Sequence, residues 1–150
     1  MIRYSQYQQK AIRTALSAIQ ETLTTSNITT STKEVEQYLK IQLGGEQEEC
    51  FGVLFLTSQH RLISFETLFR GTIYMANVHI RVIARKALEA NAAAVILAHN
   101  HPSGMAEPSN SDRIITDLTK VALEMFDIKV LDHFIVSPRE SCSFADRGWM

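Results

Sequence analysis

Cysteine is scarce in this chain: Cys50 and Cys142 are the only two among 150 residues, and neither belongs to a C-x-x-C pair. That excludes a disulfide framework and a cysteine-rich zinc site, so both thiols read as packing residues. No sign of charge dominates either. Fifteen basic against 16 acidic residues leave a net charge of -1, which provides no overall pull towards nucleic acid or anionic membrane and leaves room only for a local patch. Long apolar runs are also missing, all falling far short of the roughly 20 residues of a membrane span. The stretch Arg3 to Lys10, with Gln6, Gln8 and Gln9, is too polar for the core of a secretory leader. A cytoplasmic protein with no membrane partner is therefore expected. No internal repeat or low-complexity tract interrupts the chain.

What is present is an ordinary globular composition, 45% hydrophobic and 21% charged, sufficient to bury well over half of the unfolded surface in one domain. Ile12, Leu16, Ile19 and Leu23 recur at helical spacing within residues 4 to 23. A Thr/Ser-rich stretch from Thr22 to Thr32 reads as a linker, so residues 1–31 form an N-terminal helix and linker ahead of a domain spanning 32–150. That first helix suits either covering the core or pairing with another copy. Ser31 and Glu34 predict a capping box on a second helix that ends near Gly44-Gly45. Cys50 to Leu56 and Leu62 to Leu68 read as a hairpin, residues 80 to 90 as a helix, and Ala92 to Ala98 as a buried strand. Ile114, Ile115, Leu118, Val121, Ala122 and Met125 have amphipathic-helix spacing, and Val130 to Val136 reads as a further strand. A short segment, Phe144 to Trp149, closes an α/β arrangement of a mixed central sheet flanked by helices.

The chemistry concentrates at the end of the buried strand, in His99-Asn100-His101-Pro102-Ser103-Gly104, followed by Ser109 and Asp112. In extended backbone residues i and i+2 share a face, so His99 and His101 can present ring nitrogens to one point. Two imidazoles and a carboxylate suit one zinc ion and leave its fourth tetrahedral position for water, the pattern of a catalytic site. The same groups accept nickel, manganese or iron. An H-x-H pair alone is weak evidence, and S-x-x-D is also a helix-capping pattern, so the weight rests on the joint arrangement. The acidic cluster Glu46, Glu48 and Glu49 lies upstream; strand parity sends neighbouring side chains to opposite faces, so at most alternate members can face one site. His60 and His79 lie at a turn and before a helix and are assigned no metal role. His133 suits a hydrogen-bonded core position or the orienting of a nearby polar group.

The string H-x-H-x(7)-S-x(2)-D resembles the JAMM motif of MPN/JAB metalloproteases, and Glu49-Cys50-Phe51-Gly52 is similar to the family's upstream E-x-x-G. Leu68 to Thr72, Asn91 to Ala94, His99 to Gly104 and Leu131-Asp132-His133 resemble the bacterial RadC branch, a likeness covering about residues 32 to 149. The resemblance implies a JAB/MPN, cytidine-deaminase-like fold and a zinc-dependent hydrolase of amide or isopeptide bonds with a protein or peptide substrate. It implies zinc on His99, His101 and Asp112, Glu49 as proton shuttle, and Ser109 as hydrogen-bond donor to the tetrahedral intermediate. H-x-E and P-C-x-x-C are absent, which argues against a nucleoside deaminase. The alternative is a DNA-repair-associated, nucleic-acid-binding accessory protein without peptidase activity. Against it, Met1 to Ser31 lacks the glycine-bearing hairpin of the helix-hairpin-helix region carried by longer members. A third reading, an inactive protein-binding domain, has no need for all five chemical groups. A homo-oligomer is compatible with every reading.

Overall fold

Alternation along the strands divides the apolar residues between two cores. The computed structural model describes residues 3–71 and 78–150; Thr72, the last residue of the Leu68 to Thr72 stretch, lies outside them. In chain order the elements are α1 (Gln6–Thr25), a 3-10 turn (Ile28–Thr30), α2 (Thr32–Leu43), β1 (Cys50–Leu56), β2 (Leu62–Arg70), α3 (Ile80–Glu89), β3 (Ala94–Asn100), α4 (Asn110–Glu124), β4 (Lys129–Val136) and β5 (Ser141–Ser143). The strands form one sheet of order β2-β1-β3-β4-β5. Among the described strands only β3 and β4 pair in parallel, and α4 supplies the crossover that such a pair needs. The result is the mixed α/β architecture expected of a JAB/MPN domain.

β1 and β3 are buried on both faces, which is why each reads as a nearly unbroken apolar run. Their even-numbered residues, including Leu54, Leu56, Ile96 and Ala98, pack with α2 residues Val35, Leu39 and Leu43. Odd-numbered Phe51, Val53, Phe55, Val95 and Leu97 pack with Ile83 and Ala87 of α3 and Ile115 and Leu123 of α4. α1 covers the first core, inserting Leu23 fully and Leu16 and Ile19 partly. No described helix is long and apolar enough to cross a membrane.

Three local expectations change. Ser31 is the N-cap of α2 but makes no side-chain cap bond; the capping box lies on α1, between Ser5 and Gln8. Thr22 to Thr25 belong to α1 rather than to the linker, their register extended by hydroxyl bonds such as Thr25 Oγ1 to the Glu21 carbonyl at 2.8 Å. On α4, Ile114, Leu118, Val121 and Met125 face solvent, while Asp112, Ile115, Thr116, Thr119 and Leu123 face inwards. The threonines tolerate burial because their hydroxyls bond the Asp112 and Ile115 carbonyls, each at 2.6 Å.

At the far edge, buried Asp132 ties β4 to the closing segment. Its carboxylate accepts from the His133 and Ala145 backbone N–H groups at 2.7 and 2.9 Å and from the Ser143 hydroxyl at 2.5 Å. Burial outweighs these bonds and raises its pKa above the ordinary aspartate value. A raised native pKa means the folded state holds this proton longer than the unfolded chain does. The associated stability is complete below the unfolded pKa and is lost as pH rises through the native one. Asp132→Asn should therefore flatten the fall of urea-derived unfolding free energy as pH rises above about 4; an unchanged slope would refute the assignment.

Gly52, the glycine of the Glu49-to-Gly52 motif, faces β2. A Cβ there would stand 2.6 Å from the Phe65 ring and 3.3 Å from the Glu66 carbonyl oxygen. Gly52→Ala must push Phe65 off its edge contact with Tyr38, a pair 5.9 Å apart between ring centroids. A loss of ~1–3 kcal/mol is expected in urea unfolding; a neutral result would show that β2 yields freely.

Candidate metal centre

The end of β3 presents polar groups to both sides of the sheet. His99, the penultimate residue of the strand, is 1% exposed and lies on the odd-numbered face towards α4. His101, just beyond the strand, is held by its backbone N–H to the Val136 carbonyl at 2.9 Å, and its ring reaches the same point. The two Nε2 atoms are 3.0 Å apart. Asp112 comes from the first turn of α4, with Oδ1 3.2 Å from His99 Nε2 and Oδ2 3.5 Å from His101 Nε2. The three candidate ligand atoms lie within 4.8 Å of one another.

Helix capping aims the carboxylate. Ser109 is the N-cap of α4: its Oγ accepts from the Asp112 backbone N–H at 3.1 Å, and Asp112 Oδ2 accepts from the Ser109 N–H at 2.7 Å. The cap is made through Oδ2, which leaves Oδ1 free of it and facing His99. Burial alone would raise the Asp112 carboxyl, but when the histidines are protonated their hydrogen bonds to it outweigh burial and hold its pKa well below the ordinary aspartate range. His101 is correspondingly raised, chiefly by its hydrogen bond to Asp112 and against the effect of burial.

The outer ring nitrogens identify the tautomers. His101 Nδ1 is 3.0 Å from the Met105 carbonyl oxygen, which can only accept, so Nδ1 carries the proton. For His99 the chain of bonds is longer. The Thr116 hydroxyl donates to the Asp112 carbonyl at 2.6 Å and is also 2.6 Å from His133 Nδ1, so it accepts from Nδ1–H. His133 Nε2 then accepts from His99 Nδ1–H at 2.8 Å. Assigned from this network, both histidines direct Nε2 lone pairs at a carboxylate. Three such acceptors converging on one point repel one another unless a proton or a cation sits between them, so the donor set fits a divalent metal.

His133 is therefore both a core residue and the orienting partner of His99. Full burial pushes its pKa well below the usual histidine value and keeps it neutral. Nothing in the sequence near His133 discloses this, because the contact arises from the parallel β3–β4 register that pairs Leu97 with His133. Asn100, between the two histidines, points to the opposite face. Its Nδ2 donates to the Glu46 and Glu48 carbonyls at 3.3 and 2.9 Å, and its Oδ1 accepts from Cys50 N–H at 2.6 Å. One buried amide thereby clamps the backbone on both sides of Glu49. Phe51 pairs with His99 in the β1–β3 register, and Glu49 lies two residues earlier, close enough for its charge to raise His101. Glu46 instead lies 3.5 Å from Arg70, and Glu48 is exposed. Ser109 is exposed at the rim of the cluster.

His133→Leu should preserve the fold but leave the buried His99 Nδ1–H without an acceptor. Affinity for added zinc, measured by competition with a chromophoric chelator, is expected to fall about 10–100-fold. Equal affinity would mean that His133 does not orient His99.

The sequence matches the RadC-like JAB domain over residues 29–149. It is 46% identical over 133 residues to a UPF0758 protein of Chromobacterium violaceum, an alignment covering 89% of this chain and 59% of that protein. A UPF0758 protein of Vibrio cholerae is 46% identical over 144 residues, covering 96% of this chain and 90% of the relative. A third, from Ectopseudomonas mendocina, is 47% identical over 148 residues, 99% of this chain and 66% of the relative. The chain thus spans about three fifths of the length of several relatives and nearly all of another. With the sheet, the histidine pair and the capped aspartate in place, these matches establish that the chain belongs to the RadC family of JAB-domain proteins.

Proposed function

We propose that this chain is a zinc-dependent hydrolase of JAMM type that cleaves an amide or isopeptide bond in a protein or peptide. The observation that carries this reading is the convergence of two imidazole Nε2 atoms and one carboxylate, every other polar atom of the three side chains being engaged away from the shared point. His99, His101 and Asp112 would hold the metal. Zinc in such a site acts as a Lewis acid and makes water a competent nucleophile near neutral pH.

The protein groups divide the remaining work. Glu49, anchored through its backbone by Asn100, accepts a proton from the attacking water and delivers it to the leaving nitrogen. The Ser109 oxygen serves α4 as a cap acceptor, so its hydroxyl proton remains available to a developing oxyanion. His133 and the Met105 carbonyl keep both histidine rings in the ligating tautomer. The nucleic-acid-binding alternative draws no specific support from a net charge of -1.

Elemental analysis should find near-stoichiometric zinc on wild-type protein and on Glu49→Gln, and its loss from His101→Ala. Against amide and isopeptide substrates Glu49→Gln should be slower by about 10²–10⁴-fold, because it preserves shape and removes the proton acceptor. Undiminished turnover by Glu49→Gln would remove Glu49 from the mechanism. Failure of zinc-supplemented wild type to retain metal would sink the hydrolase reading itself.

A further inference from the structure

The side of α4 opposite the metal ligands carries a concentrated apolar surface. Of the ten exposed large hydrophobic residues among those described, six lie here: Leu88 on α3 and Ile114, Leu118, Val121, Met125 and Phe126 on or just after α4. Val121 and Met125 are 65% and 83% exposed, a cost that an isolated soluble surface has no reason to bear in so compact a patch. Ile114, Leu118, Val121 and Met125 follow a 4-3-4 spacing, the seam by which one helix packs against another.

Charge along the seam identifies the occupant. Arg113, Asp117, Lys120 and Glu124 each precede a seam residue by one position and so form one border, in the order plus, minus, plus, minus. Laid antiparallel against itself, this border sets Arg113 opposite Glu124 and Asp117 opposite Lys120, opposite charges at every position. A parallel twofold pair would turn this border towards the other flank of the seam, where Ile115, Thr119 and Ala122 offer no counter-charge. An arbitrary partner would need no such reversal symmetry, whereas a twofold interface requires it. The Arg113 guanidinium stacks 4.3 Å from the centroid of Trp149.

We propose that the outer face of α4 is a homodimer interface, two copies pairing these helices antiparallel about a twofold axis. Asp112 lies on the inward face of the same helix, so pairing leaves the metal cluster unobstructed. The inference stands independently of the hydrolase reading, since none of the seam residues belongs to the cluster.

Sedimentation velocity across low to high micromolar concentrations should show a reversible monomer–dimer equilibrium. Leu118→Glu should be monomeric throughout, with wild-type circular dichroism and melting behaviour because the position is exposed. Asp117→Lys should weaken the dimer about tenfold, by placing like charges at two symmetric positions, and adding Lys120→Asp should restore it. Wild type that stays monomeric at every concentration would overturn the proposal, as would a dimer indifferent to Leu118→Glu. Failure of the double charge exchange to restore association would overturn the antiparallel arrangement.

Discussion

The Asp112 carboxylate joins helix capping to the histidine pair, and the placement of α4 follows from it. One oxygen accepts from Ser109 N–H and also faces His101, while the other faces His99. A helix tied at its first turn in this way has little freedom to rotate. Asp112, Thr116 and Thr119 must then share the inward face, and their polar atoms must be satisfied there. The apolar residues at 114, 118, 121 and 125 are correspondingly directed outwards. The chemistry on one side of α4 and the exposed seam on the other are two results of one constraint.

A polar network at the centre of a sheet is costly unless complete, and here each member supplies what its neighbour lacks. Thr116 has one proton and gives it to a carbonyl; His133 therefore turns its own proton towards Thr116 and its lone pair towards His99. No buried side-chain nitrogen or oxygen among the described residues is left without a partner. Completeness confers direction: a string of single-proton donors has only one arrangement that leaves His99 Nε2 bare. Removing an inner member alters the outer one without touching it, which is how residues remote from the His99–His101–Asp112 cluster acquire influence over it.

Asn100 performs a comparable service on the other face. Strand alternation places it away from the histidines, and its amide can bond two carbonyls and an N–H at once, which neither Asp nor Leu could do. The loop carrying Glu49 is thereby located relative to His99 and His101 by a residue lying between them in sequence. A geometry shared by a loop and a strand some 50 residues apart is reduced to adjacency along β3.

Much of this was legible from the residues. Period-two spacing placed His99 and His101 on one face, and an unbroken apolar run disclosed β3 as a buried strand; the close approach of Gly52 to the Phe65 ring became visible only in three dimensions. Capping chemistry was legible at Ser109 and misjudged at Ser31, because S-x-x-E states which bonds are available and not whether the backbone adopts the angles to make them. The sequence by itself determined the ligand types, their local spacing and the helix and strand periods, all of which depend on neighbours along the chain. Tertiary structure alone decided that His133 lies beneath His99, that Asn100 clamps the Glu49 loop, and which side of α4 meets water. Those outcomes depend on the parallel register of β3 with β4 and on the rotation of a tethered helix, which are set by contacts between segments far apart in the chain.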